Sequence, residues 1–221
     1  MRGILIKGLA LIVGLFVTYM LYRIFMITPF EKSMGVVQKL MYFHVPSAIT
    51  GYIAFSTVCV ASILYLWKKD ERFDRLALSA AEIGVLFFSL VLITGSLWAR
   101  PIWNTWWTWE PRLTTALILW FIFVGYLLLR NMSPNNERMR KVFAIYAIIG
   151  AIDIPIVHMS VKWWRTIHPR VIENRGLPPE MESTLYLNLL AFLFIFILLL
   201  ILRYRLELSK LKVERLKEET L

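Results

Sequence analysis

The chain contains three histidines, and their settings differ. His44 stands in Met-Tyr-Phe-His-Val-Pro-Ser, where the chain enters an apolar run. His168 stands in Trp-Trp-Arg-Thr-Ile-His-Pro, inside a long polar connection, and His158 ends the apolar run before it. Neutral imidazole ligates haem iron readily, and two of them on opposite sides of the ring make a six-coordinate site. His44 and His168 are therefore the candidate metal ligands. No neighbouring His or carboxylate stands at metal-ligand spacing and no H-E-x-x-H motif is present, so a zinc site is not expected, and His158 is read as structural.

Between the two candidate ligands lies Trp103-Asn104-Thr105-Trp106-Trp107-Thr108-Trp109-Glu110-Pro111-Arg112. Tryptophan at the end of a membrane span is usually an interfacial anchor. A belt of anchors needs rings at one depth and no particular spacing, whereas a flat apolar macrocycle needs several large rigid faces to stack on. Trp103, Trp106, Trp107 and Trp109 are read as such faces, with the first three sharing one side if the segment is helical. Trp163 and Trp164, just before His168, add two more rings. A porphyrin also carries two propionates, for which Arg100, Arg112, Lys162, Arg165 and Arg170 are available cations.

The elements that must position these groups are membrane spans. The chain is 58% hydrophobic, above the roughly 45–50% of a soluble domain, and its apolar stretches approach the roughly 20 residues needed to cross a bilayer. They fall at 8–28, 45–67, 76–98, 113–129, 142–157 and 185–202, the fifth being short and holding Asp153 and Pro155. Backbone groups in lipid must bond within their own segment, and the period-2 alternation of barrel strands is absent, so the spans are helices. The expected fold is an all-α integral membrane protein with six transmembrane helices, organised as a membrane domain over 1–202 and a charged C-terminal tail over 203–221. Leu206, Leu208, Leu211, Val213 and Leu216 give that tail helical spacing, so it reads as a cytoplasmic continuation of the sixth helix.

Arg2 and Lys7 precede the first stretch as in a secretory signal. That stretch is about twice a signal core and lacks a small-x-small cleavage site, so it is expected to be a retained span. The net charge of +10 is spread between apolar blocks and not gathered into one basic domain, which argues against nucleic acid and for membrane topology. With six spans the termini share a face. That face carries sixteen Lys and Arg and the other carries eight, Lys32, Lys39, Arg100, Arg112, Lys162, Arg165, Arg170 and Arg175, with Arg23 inside the first span. Cytoplasmic loops are enriched in basic residues, so both termini are expected to be cytoplasmic and the histidines and the tryptophan block external. The single cysteine, Cys59, excludes an internal disulfide and a C-x-x-C-H haem attachment site. The intramembrane acids Glu82 and Asp153 are read as structural, Asp153 by bonding the backbone groups freed at Pro155.

These residues together resemble the haem-handling membrane proteins of cytochrome c biogenesis, most closely the cytochrome c maturation protein C family. The motifs that carry the resemblance are Met41-Tyr42-Phe43-His44-Val45-Pro46, Gly95-Ser96-Leu97-Trp98, the block 103–114, Pro155-Ile156-Val157-His158 and Trp163-Trp164-Arg165-Thr166-Ile167-His168. The resemblance implies that His44 and His168 are external ligands of haem b and that Trp103, Trp106, Trp107 and Trp109 contact it. Glu110 stands where the family commonly has Asp, one methylene longer, which implies a shifted contact to haem or to a partner. Also implied are a multi-pass position in the inner membrane and transfer of haem to a membrane-anchored haem chaperone. Association with a second permease-like subunit and an ATP-binding subunit completes the picture, with no bond-making catalysis. The alternative reading is the permease subunit of an ABC transporter, which expects polar or broken helices along a midplane path.

Overall fold

Six helical segments long and apolar enough to cross a membrane run through the protein. The structure is a computed structural model that describes residues 2–133, 137–168 and 177–219. Arg170, one of the candidate cations, lies outside the described residues, as does Arg175 of the same basic count. In chain order the helices are α1 (Arg2–Tyr22, extended by a π-helical turn Arg23–Ile27), α2 (Met41–Lys68, entered through a 3₁₀ turn Val36–Leu40), α3 (Glu71–Trp103), α4 (Pro111–Met132), α5 (Glu137–Ala151), α6 (Asp153–Trp163) and α7 (Pro179–Glu219). Among the described residues the only β pairing is an isolated bridge between Glu31 and Gly35. The all-α, six-span expectation holds.

Local chemistry explains the helix ends. α2 stops at Lys69, in the left-handed conformation (φ 56°), and Asp70 caps α3 by accepting from the Arg72 amide at 2.9 Å. A left-handed residue followed by an acidic N-cap is a sufficient two-residue turn between antiparallel helices. Pro111 sits in the first turn of α4, where its missing N–H costs nothing. α5 and α6 make up one span, Glu137–Trp163, in which the helical bonding lapses only at Ile152, itself at helical angles (φ −61°, ψ −28°), just ahead of Pro155, whose ring nitrogen has no hydrogen to donate. Asp153 Oδ2 is buried with no hydrogen-bond partner, so that oxygen does not serve the freed backbone as expected. α7 continues unbroken from Pro179 to Glu219, with no change of backbone at position 202.

α2 and α3 form the central pair. Their close approach requires two glycines: a methyl group on Gly51 would overlap the Phe88 ring, and one on Gly84 would overlap Phe55. Phe55 in turn stacks on Phe123 of α4 with ring centres 3.9 Å apart and planes within 8°, and the fully buried Phe143 brings α5 into the same core. α7 packs on the other side through Phe196 against Ala54, Ile83 and Phe87. By contrast, α1 leaves Ile4, Leu5, Leu11, Ile12 and Leu15 exposed, as expected of a helix whose solvent is lipid.

The two ends of the bundle differ chemically. At one end Asp74 receives both terminal nitrogens of Arg130 at 2.5 and 2.8 Å, and the guanidinium lies 5.3 Å from the Phe143 ring centre. Further along α3, Glu82 receives Arg203 of α7 on both oxygens; Arg203 also reaches Glu207 at 2.5 Å, while Glu207 receives Lys210 at 2.8 Å and Arg75 at 3.3 Å. Glu82 is thus a structural ion-pair partner, as expected. Among the described residues the opposite end is held without ion pairs of this kind: Arg23 donates to the hydroxyls Thr184 Oγ1 at 3.0 Å and Ser183 Oγ at 2.8 Å, and Thr28 and Thr184 share a hydroxyl contact at 3.0 Å. This second end carries His44 and His168.

Candidate functional site

His44 occupies the first turn of α2 and is buried, with 9% of its surface exposed. Three features of α3 place its ring. Thr94 Oγ1 lies 3.1 Å from His44 Nδ1, and the same hydroxyl donates to the Leu90 carbonyl at 2.5 Å. A hydroxyl that gives its own proton to a carbonyl accepts from the imidazole, so Nδ1 carries hydrogen and Nε2 keeps its lone pair. One turn further along α3, Trp98 meets His44 edge to face at 5.9 Å. Gly95 completes the seat, because a methyl group there would stand 3.1 Å from His44 Cε1.

His168 arrives from the far side on a non-helical arm, 164–168, that follows α6. Its ring centre lies 6.2 Å from that of His44, with an angle of 37° between the planes. An imidazole nitrogen stands about 2.0–2.1 Å from a bound first-row metal ion. Adding the ring radius on each side, two rings sharing one metal have centres roughly 6 Å apart. The arrangement therefore has the spacing of a bis-imidazole metal clasp.

The tryptophan block is not one helix. Trp103 ends α3, Asn104 turns left-handed (φ 54°), and 105–110 run without helical bonds until Pro111 starts α4. The expectation that Trp103, Trp106 and Trp107 share a helical face is therefore corrected: the Asn104 turn reverses the chain before a further helical turn can form. Trp103 and Trp107 line the cleft with the two histidines, whereas Trp106 and Trp109 are 57% and 77% exposed. Trp107 and Trp109 meet edge to face at 6.0 Å. Trp163 and Trp164 are also exposed, one ring against the other at 5.8 Å.

The charged residues divide by use. Arg112 lines the cleft, and its Nη1 donates to the Val157 carbonyl at 2.9 Å and the His158 carbonyl at 3.4 Å. Glu110 turns toward the arm that bears His168. Arg100 bonds Asn104 and lies 5.9 Å from the Trp106 ring, and Lys39 donates to the carbonyls of Ile24 and Phe25 at 2.6 and 3.0 Å. Lys162 and Arg165 are exposed, as is His158.

Sequence reasoning missed Thr94 and Met34. Thr94 is four residues before Trp98 and so on the same face of α3, a signal available in the sequence had the partner of His44 been known. Met34 lines the cleft from the connection between α1 and α2. Its loop is fastened by Glu31, whose Oε2 accepts from the Ser33 amide at 2.8 Å, the Ser33 hydroxyl at 2.6 Å and the Met34 amide at 2.6 Å, while Gly35 supplies the positive φ of 57°. These bonds, the Ser33 hydroxyl first, hold the Glu31 carboxyl below the usual carboxylate range.

The chain matches the family model described as Heme exporter protein C over residues 1–219. It is 33% identical to "Heme exporter protein C" of Escherichia coli strain K12 over 166 residues, covering 75% of this chain and 68% of that protein. Identity to the Haemophilus influenzae protein of the same name is 32% over 191 residues, 85% of this chain and 78% of the relative. A "Putative cytochrome c biosynthesis ccmC-like mitochondrial protein" of Marchantia polymorpha is 36% identical over 157 residues, 71% of this chain and 66% of the relative. A match along nearly the whole chain, together with six membrane-length helices, makes this protein a member of the Heme exporter protein C family.

Proposed function

We propose that the protein handles haem in cytochrome c maturation, holding haem b between His44 and His168 at the external face of the inner membrane and passing it to a membrane-anchored haem chaperone. The observation that carries this reading is the pair of imidazoles with ring centres 6.2 Å apart, one of them buried and oriented by Thr94. The cleft also fits the group chemically. Its walls are mostly apolar, Trp98, Trp103 and Trp107 contribute aromatic faces, and Trp107 Nε1 is a buried donor without a partner that a haem carboxylate would satisfy. Bound haem would supply an iron whose ligands exchange; the protein's part is to hold, orient and release it.

The remaining assignments follow from family and charge. Sixteen basic residues on the face of the termini against eight on the histidine face support the orientation. Membership in the Heme exporter protein C family supports a second permease-like subunit and an ATP-binding subunit as partners. Exposed Trp106 and Trp109 give the chaperone aromatic surface to approach. The protein itself makes no covalent bond in this scheme.

The test uses the full-length protein in lipid nanodiscs, loaded with haemin and mixed with the soluble domain of a haem chaperone. Haem is expected to move to the chaperone from the wild type and to do so from neither His44→Ala nor His168→Ala at a comparable rate. Equal transfer from all three would sink the reading. Thr94→Val keeps the shape of the side chain but removes the acceptor of His44 Nδ1. It should weaken haemin binding by about ten- to a hundredfold, the usual effect of losing a group that orients a metal ligand. A titration of Thr94→Val that overlays the wild type would show that Thr94 does not set the imidazole.

One observation favours the permease reading: Asp153, inside the fifth span, has a buried oxygen without a partner, and carboxylates within a span often serve substrate pathways. ATP-dependent uptake of labelled haem into vesicles, lost on Asp153→Ala, would move the function from the face to the span.

A further inference from the structure

We infer that Glu110 is a positioning residue for His168, a latch that fastens the arm carrying this ring over the cleft and that must open for haem to enter or leave. The inference rests on the proposed role of the two histidines, and it gives Glu110 a task other than touching haem.

Glu110 occupies the N-cap position of α4, where an acidic side chain ordinarily caps its own helix. It makes no such bond. Its Oε2 instead accepts from the Thr166 hydroxyl and from the Ile167 amide at 3.0 Å, and the Thr166 hydroxyl in turn accepts from the His168 amide at 3.0 Å. One carboxylate oxygen thus holds the three consecutive residues that end in His168. The other oxygen, Oε1, is buried without a partner, so that side of the group is turned inward. Two residues on, Arg112 holds the carbonyls of Val157 and His158. The charged residues on either side of Pro111 therefore both grip the backbone of 157–167, and the start of α4 serves as the fixed post.

A second observation makes this fastening a gate. The cavity between the two histidines measures about 80 Å³, against roughly 300–1,000 Å³ for sites that enclose a ligand of drug or cofactor size. The imidazoles have the separation of a metal clasp, but the space around them does not admit a porphyrin. Some wall must move. Thr94, Gly95 and Trp98 belong to α3, one half of the packed central pair, whereas 164–168 lies outside any helix. Met34, Trp107 and His168 line the cleft from outside any helix; of these only the arm of His168 carries a proposed ligand, and lifting it breaks the Glu110 bonds.

The experiment has one arm without haem and one with it. In the full-length haem-free protein, hydrogen–deuterium exchange of the peptide containing Ile167 and His168 should be about tenfold faster in Glu110→Ala, as expected when local opening no longer has to break these hydrogen bonds. It should stay within about threefold of wild type in Glu110→Gln, whose amide oxygen can still accept both bonds. In the haemin-loaded protein, release to apomyoglobin should speed up by about ten- to a hundredfold in Glu110→Ala, and Glu110→Ala/His168→Ala should release no faster than His168→Ala alone. Unchanged exchange in Glu110→Ala, or an effect that adds fully to that of His168→Ala, overturns the latch. If instead exchange accelerates but His44→Ala and His168→Ala release haem at the wild-type rate, the fastening of the arm stands while its use as a haem gate and the haem site itself fall.

Discussion

Haemin binding is expected to drop by at least about a hundredfold in His44→Ala, beyond what an outer support to a ligand usually commands, and by less in His168→Ala. The asymmetry follows from how each ring is held. His44 sits in a helix, is buried, and has Nδ1 bonded to Thr94, so little conformational freedom remains to be lost when Nε2 binds iron. His168 rides on a non-helical arm that must open to admit haem, and opening and re-closing it opposes binding. Optical and electron paramagnetic resonance spectra of the loaded protein provide the check. His168→Ala should keep a Soret band while the low-spin, six-coordinate signature disappears, and His44→Ala should lose most of the band itself. Low-spin spectra in both variants would remove both residues from the iron.

Asp74→Ala is expected to lower stability by about 3–5 kcal/mol, the cost of leaving a buried charge without its partner. Asp74 and Arg130 have only 3% and 6% of their side-chain surfaces exposed, and the pair is bidentate. Arg130 further contacts the buried Tyr126 hydroxyl at 3.3 Å, so removing Asp74 strands a guanidinium among aromatic rings. Thermal unfolding of the detergent-solubilised protein reads this as a lowered midpoint. Replacing both partners by apolar residues, Asp74→Leu with Arg130→Met, should recover most of the loss, because the strand of uncompensated charge goes with them. Haemin spectra of the double variant should match the wild type, since this pair lies at the opposite end of the bundle from the histidines. A single Asp74→Ala variant with an unchanged midpoint would show that the pair is solvated.

These two results probe parts of the molecule that were readable to different degrees. Spans are written in composition: lipid forces runs of roughly 20 apolar residues into helices, and five of the six stretches could be placed within a few residues of their helical cores. The fifth was read as one short span, and it is one span of 27 residues, Glu137–Trp163, whose helical bonding lapses only at Ile152, three residues before Pro155, which has no N–H to give. The tryptophan block was conspicuous by type, but its conformation turned on Asn104 adopting a left-handed angle, which places Trp103 and Trp107 in the cleft and leaves Trp106 and Trp109 at the surface.

By itself the sequence determined the solvent, the number of membrane-length helices, and a short set of candidate rings and cations, since each depends on residue type or on spacing within one segment. Tertiary structure decided that the rings of His44 and His168 face each other, that Thr94 takes the imidazole hydrogen, that Glu110 grips the arm instead of its own helix, and that Asp74 answers Arg130. Such choices belong to side chains on different helices. They are made only when packing, through contacts such as Gly84 against Phe55, fixes which faces meet and at what height.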